Sequence, residues 1–340
     1  MKEKFYILLV LAFVLAACSE SNMAIYGDKP IALSAAISET LSVSRAYHTE
    51  EIRDNVPSEE YPLNALVCFS CTDGVYSGTP VPVSPSYLPC NTKISYTTAN
   101  KTYPDPYSDG TNRYDLKYPQ DNSLVYCVGL HPNEDEAKWS FVGDSKVRYE
   151  VDGIHDAMYA PQISGQWETP FPNQVYTHMQ SWMKIVVSAV SEDAVDAWGG
   201  IESVKINSGK YIDIDLSKKP DPAESSAYGK GIVFSDNIDM YVVTADDNIQ
   251  LTTNLTEIAE FFYVPVGNCA NQTITIKTKN RGEKTISFGL IDKDNNPIDT
   301  QFDAIGKLYV VELHFHPMEF IKANCILEEW EALDDNLYLE

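Results

Sequence analysis

Three stretches of this sequence carry residues whose types and spacing could do chemistry. Glu312, His314 and His316 alternate, and on a strand they share one face, opposite Leu313 and Phe315. Neighbours two apart can chelate a metal ion, but no fourth ligand is placed by spacing, so the expectation is the solvated face of an amphipathic strand. Asp292-Lys293-Asp294-Asn295-Asn296 opens like a calcium loop. Pro297 then stands where the tight turn needs glycine, and Asp303 stands at the twelfth position, shorter than the bidentate glutamate used there. A turn is the expected reading. Cys68-Phe69-Ser70-Cys71 is formally a C-x-x-C. It leads from an apolar run into Thr72-Asp73-Gly74, not onto a helix N-terminus that would lower a thiol pKa, so small buried cysteines are expected. The sequence holds no Gly-rich phosphate loop, nucleophile elbow or H-E-x-x-H. No catalytic residue, metal or cofactor is nominated, and the expectation is a protein that is not an enzyme.

The elements that carry these residues are strands. The chain has 340 residues, with 49 Asp and Glu against 25 Lys and Arg, a formal charge of −24. That length suits about two domains of roughly 150 residues. The apolar content of 44% is enough for real cores. Acidity of this size argues against binding nucleic acid or anionic lipid by surface charge, since both need basic patches.

Lys2 and Lys4 precede an apolar run, Phe5 to Ala17, that ends in Leu15-Ala16-Ala17-Cys18. A basic start, a run too short to span as a stable anchor and small residues before the cut are signal-peptide features. The cysteine at that point resembles a bacterial lipoprotein signal, in which Cys18 is acylated and becomes the mature N-terminus. Lipid on Cys18, rather than protein, would then hold the chain to a membrane. Export permits disulfides among Cys68, Cys71, Cys90, Cys127, Cys269 and Cys325, but their connectivity cannot be read from spacing.

After a small, polar stretch from Ser19 to Pro30, read as a tether, Ile31, Leu33, Ala35, Ile37, Leu41 and Val43 occupy odd positions and serines and a threonine occupy most even ones. Alternation this long indicates a one-sided strand. Arg45-Ala46 follows, then the polar stretch Tyr47 to Glu60. Strand-like runs at Leu63–Phe69, Lys93–Thr97, Ser123–Leu130 and Val147–Val151 come next. Pro161 to Asn173 reads as a linker or edge. The second half holds further runs at Tyr176–Val190, Ile201–Ile206, Tyr211–Leu216, Ile232–Val243, Phe261–Val266, Thr273–Lys279, Lys284–Ile291 and Leu308–Phe315, with a short helical turn over Ser191–Trp198. Such spacing indicates all-β, antiparallel sandwiches.

Several stretches together resemble the fimbrillin family of the Bacteroidales, subunits of type V pili and related cell-adhesion lipoproteins. They are the signal ending at Cys18, the alternating strand before Arg45-Ala46, and Asp156-Ala157-Met158-Tyr159-Ala160. Tyr176-Thr177-His178-Met179 running into Lys184-Ile185-Val186-Val187 belongs with them, as does Phe262-Tyr263-Val264-Pro265 ahead of Ile274-Thr275-Ile276. Tyr309-Val310-Val311-Glu312-Leu313 with Ile321 to Ile326 and Trp330 closes the series. The resemblance implies two tandem transthyretin-like β-sandwich domains. The expected division is a signal peptide at 1–17, a tether and removable first strand at 18–45, an N-terminal sandwich at 46–172 and a C-terminal sandwich at 173–340.

In polymerising members of that family an arginine-specific protease removes the first strand, and a strand of the next subunit fills the groove. Transferred to this chain, Arg45 and Ala46 flank the scissile bond, and Ile31, Leu33, Ile37, Leu41 and Val43 are the plugs. Other pilin subunits would be the partners, by strand complementation, with a host or bacterial surface ligand beyond them and no nucleic acid. The location implied is the outer membrane surface, lipid-anchored, and the fimbrium after processing. Past Trp330 only the acidic tail Glu331 to Glu340 remains, with Leu333, Leu337 and Leu339 weakly alternating. That is short for a donated strand, so shaft, tip and anchor roles stay open. The alternative reading is a monomeric glycan-binding surface lipoprotein that keeps its first strand and presents Trp139, Trp167 and Trp198.

Overall fold

The computed structural model describes residues 26–37, 63–71, 73, 90–94, 107–108, 113–114, 116–132, 139–142, 145–218, 231–318 and 320–328. Cys18, Leu41, Val43, Arg45, Ala46 and the tail after Glu328 lie outside them. In chain order the strands are β1 (Tyr26–Pro30), β2 (Ala35–Ile37), β3 (Leu63–Ser70), β4 (Cys90–Ile94), β5 (Tyr107–Ser108), β6 (Arg113–Tyr114), β7 (Lys117–Pro119), β8 (Val125–His131), β9 (Trp139–Phe141), β10 (Lys146–Glu150), β11 (Met158–Gly165), β12 (Gln174–His178) and β13 (Ser181–Ala189). Helix α1 (Glu192–Trp198) precedes β14 (Ile201–Asp215), β15 (Ile232–Val243), β16 (Thr256–Tyr263), β17 (Gln272–Thr278) and β18 (Gly282–Phe288). Helix α2 (Gln301–Ala304) precedes β19 (Leu308–Phe315) and β20 (Ile321–Glu328). The protein is all-β, as its sequence indicates.

Three larger sheets result. One runs β2-β12-β11-β8-β3-β4, one runs β16-β13-β19-β20, and the third runs β18-β17-β14-β10-β9 with β15 also on β14. The pairings are antiparallel apart from two parallel ladders among the described residues, β2 on β12 and β13 on β19. Because β14 joins β10 and β9 to β15, β17 and β18, the third sheet draws strands from both halves of the chain. Arg148 on β10 closes this junction with a forked ion pair to Asp213 on β14 (2.6 and 2.9 Å) and lies 4.5 Å from the Tyr211 ring centre. Its guanidinium holds the Asp213 carboxyl below the usual carboxylate range.

Apolar periodicity assigns each strand its faces. Met183, Ile185, Val187 and Ala189 on β13 face Val204 and Ile206 on β14 and Ile274 and Ile276 on β17 in one core. A second core joins Cys68, Val128, Leu130 and Tyr159 to Val147, Tyr149, Ile212 and Ile214. A third lies on the opposite face of the first sheet, with Ala65, Val67, Phe69, Cys127, Met158 and Ala160. The first sheet is thus covered on both faces, which is why β3 reads as a nearly unbroken apolar run rather than an alternating one.

Four expectations are corrected. Tyr26–Pro30, read as tether, is a strand on β7. Pro161, read as the start of a linker or edge, sits inside β11, which lies between β12 and β8, where the register shifts between Ala160 and Ile163, a bulge that tolerates its missing N–H. The run Tyr176–Val190 is two strands in two sheets, parted at Met179-Gln180. Conversely, Ile201–Ile206 and Tyr211–Leu216 belong to one strand of 15 residues, because Asn207, Ser208 and Gly209 pair with Asp239, Ile238 and Asn237 on β15. Gly209 suits the close approach there: a Cβ would sit 3.0 Å from the Val264 side chain, and the Val264 carbonyl accepts the Gly209 N–H.

Candidate functional site

The first sheet ends at β2, and the segment 26–37 completes that edge. β1 pairs antiparallel with β7, the Ile31 N–H donates to the Leu116 carbonyl (2.8 Å), and the Gln174 N–H donates to the Ser34 carbonyl (2.8 Å). β2 then pairs parallel with β12, with Ala35 opposite Gln174 and Ile37 opposite Tyr176. The ends are tied by side chains: Lys29 Nζ donates to the Trp167 carbonyl (2.6 Å), and the Ser34 hydroxyl bonds the Asn173 side-chain oxygen.

Ile31, Leu33 and Ala35 are buried and belong to the same apolar cluster as Leu116, Tyr118, Phe171 and Tyr176. Positions 31, 33 and 35 of the alternating pattern therefore face inward, and of these only Ala35 lies within a strand. Phe171 packs against Phe69 and Tyr118 (ring centres 6.2 and 5.6 Å apart), and its N–H donates to the Tyr118 hydroxyl (2.9 Å). Burial pushes that phenol up to about 12. Beside Ala35 the wall is polar and bonded: Gln174 Nε2 donates to Cys127 Sγ (3.5 Å), and the Tyr176 hydroxyl donates to Gln174 Oε1 (3.1 Å). The hydroxyl end of the Tyr176 ring sits against Gly129, where a Cβ would come 2.1 Å from its hydroxyl oxygen. Of the sequence-nominated plugs, Ile31 and Leu33 are in this slot and Ile37 contributes its backbone to β2.

The chemistry-bearing clusters resolve otherwise. His314 bonds Ser188 (2.8 Å) and sits 3.5 Å from Glu312, while His316 leaves the strand and stacks on Phe320 at 4.1 Å. Among the described residues no group of three ligand-type side chains has metal-holding geometry. Asp292 turns its carboxylate onto the N–H groups of Asp294 and Asn296 (both 2.8 Å), which lowers its pKa, and Asp303 accepts from Thr300 at the cap of α2. Cys68 and Cys127 are buried, and Cys71 is exposed. Burial pushes the Cys269 thiol up to about 11 and the Cys325 thiol to about 12. Peptide mapping after iodoacetamide at pH 8 should find both unmodified in the native chain and modified in denaturant. Native labelling at the speed of a free peptide thiol contradicts this.

The three nominated tryptophans do not form a platform. Trp198 is fully buried, donates to the His316 carbonyl (2.7 Å) and carries the Arg281 guanidinium 5.0 Å from its ring centre. Trp139 packs inward on Tyr149 at 4.9 Å, and Trp167 packs on the core beside the first strand.

Sequence reading did not single out Gln174, Tyr118 and Phe171, nor the pair of Asp156 with His178. That pair is buried, with Oδ2 and Nδ1 2.5 Å apart. The alternation Gln174-x-Tyr176-x-His178 was the available signal, but a glutamine and a histidine on that face pass for solvent-facing residues.

Fold and site together define an all-β protein whose open sheet edge is completed by its own N-terminal segment. No family model matches the chain, and no curated protein sequence matches it. Its structural neighbours are adhesion and fimbrial proteins of the Bacteroidales. It is similar to a candidate cell-adhesion protein of Bacteroides uniformis, with TM-score 0.52, 14% identity, 89% of this chain and 100% of that one covered. A counterpart from Bacteroides ovatus gives TM-score 0.49, 11% identity and coverage of 91% and 99%. The fimbrial anchor protein Mfa2 of Porphyromonas gingivalis gives TM-score 0.41, 8% identity and coverage of 89% and 98%. At these identities the likeness is one of fold, and the first of them agrees with the all-β reading of the sequence.

Proposed function

We propose that this chain is a fimbrillin-like pilus subunit or pilus-associated adhesin with no catalytic role. In this reading it is exported as a lipoprotein on Cys18, released by cleavage between Arg45 and Ala46, and assembled by donor-strand exchange with other pilin subunits at the cell surface. The observation that carries the reading is the burial of Ile31, Leu33 and Ala35 at a sheet edge that, among the described residues, their own segment covers. Removing that segment leaves the outer edge of β12 unpaired and an apolar slot facing water, a costly state that another strand relieves. The short ladder of β2 suits a strand held firmly by side chains yet exchangeable along its backbone. The names of the adhesion and fimbrial neighbours agree with this role.

The purified chain should be treated with an arginine-specific protease, its new N-terminus sequenced and its mass followed by light scattering. Cleavage after Arg45 with growth of oligomers is the expected result. An intact Arg45-Ala46 bond, or a cleaved product that stays monomeric, sinks the assembly mechanism.

A further inference from the structure

The slot occupied by the first segment is not uniform along its length, and the difference assigns a selectivity to it. Ile31 and Leu33 lie in its apolar part, with Leu116, Tyr118 and Phe171. Ala35 lies directly opposite Gln174 in the parallel register, and both are fully buried. Side chains in register on neighbouring strands point to the same face, so the Ala35 methyl and the Gln174 side chain share one compartment. The Gln174 amide is fixed at both ends, by Cys127 Sγ at 3.5 Å and by the Tyr176 hydroxyl at 3.1 Å. The Tyr176 ring cannot retreat without losing its seat over Gly129, which exists only because that residue has no side chain. A larger side chain at position 35 would have to break buried hydrogen bonds of a locked wall.

Resting on the strand-exchange reading, we propose that Ala35 and Gln174 form a size filter. The edge accepts a strand with large apolar side chains at the positions of Ile31 and Leu33 and a small one at the position of Ala35. A strand of another subunit entering the vacated slot is selected by the same large-x-large-x-small pattern, and Gln174 reads the small position. The pattern also fixes register, because a strand slipped by two residues would bring the leucine against Gln174.

Two arms test this. In the intact chain, Ala35→Leu is expected to lower the urea midpoint sharply, Ala35→Ser to leave it near the parent value, and Ala35→Leu with Gln174→Ala to recover much of the loss measured against Gln174→Ala alone. A leucine tolerated without loss overturns the filter. The second arm keeps the receptor unmutated: the full chain is cut with the arginine-specific protease and offered labelled peptides of sequence 26–37, parent or Ala35→Leu. The parent peptide is expected to bind and the leucine peptide to bind about 10-fold or more weakly. Equal binding overturns the filter and leaves strand exchange standing. Binding of neither peptide overturns strand exchange, and the selection of partners with it.

Discussion

Leu33→Ala is expected to destabilise the folded chain by roughly 3 kcal/mol, the middle of the range for truncating a fully buried leucine. Leu33 has no exposed surface and sits where the chain, coming off β1, crosses to the outer edge of β12. The alanine would lose the transfer energy of the removed carbons and leave a cavity that the surroundings cannot easily collapse into. Tyr118 is fixed by the Phe171 N–H, and Phe171 is wedged between Phe69 and Tyr118. The short β2 ladder adds little to offset the loss. Val175→Ala is the matched control: on β12 this side chain faces water, 46% exposed, and its truncation should change stability by less than about 0.5 kcal/mol. Urea unfolding of both variants, with slopes compared, decides the matter. A Leu33→Ala loss no larger than the control's would mean that the first segment is a passive passenger on the edge. In the proposed function, the same variant should also lose its severed segment faster after cleavage, because side-chain burial rather than backbone pairing retains it.

What the sequence disclosed was periodicity, and what it withheld was partnership. β19 was legible to the residue, since its eight residues are apolar or alternate apolar with polar, Tyr309, Val311, Leu313 and Phe315 line one core, and turn residues follow. The inward face of the first segment was legible for the same reason through Ile31, Leu33 and Ala35, but its strand was not, since only Ala35 of the three lies in β2 and 31–34 link β2 to β1. Alternation says nothing about which strand lies beside it or in which direction, so the parallel pairing of β2 with β12 could not be read. Asn207-Ser208-Gly209 has the composition of a turn but continues β14, because β15 supplies partners for its backbone. Met179-Gln180 has no turn composition at all, yet the chain there passes from one sheet to another. The filter residues were hidden for a related reason. Gln174 counts as polar in any pattern, and only the fold shows that Cys127 and Tyr176 satisfy its amide inside the core.

The passage at Met179-Gln180 is also where the second large effect is expected. Asp156→Ala should cost about 3 kcal/mol, since it removes a carboxylate from a buried pair and leaves the imidazole in a site built to be shared. Asp156 and His178 are both buried, 2.5 Å apart, one just ahead of β11 and the other at the end of β12. The neighbouring bonds depend on that placement. Ala157 accepts from the Met179 N–H (2.8 Å) and donates to Gln180 Oε1 (2.7 Å), and the Gln180 carbonyl accepts from Gly306 (2.9 Å). Losing the carboxylate loosens the start of β11 against the end of β12 just where the chain turns into β13. Asp156→Asn keeps the shape and one acceptor oxygen, so it should lose less than the alanine variant. Asp239→Ala, which breaks a surface pair with Lys205 at 3.2 Å, should cost less than about 1 kcal/mol. Unfolding of the three variants in urea would rank them alanine at 156, asparagine at 156, alanine at 239. If Asp156→Ala proved no worse than Asp239→Ala, the buried pair would not be what holds this crossing. Because β12 is the strand on which the first segment rests, a loosened crossing should also weaken the edge, and Asp156→Ala should bind the 26–37 peptide less tightly than the parent after cleavage.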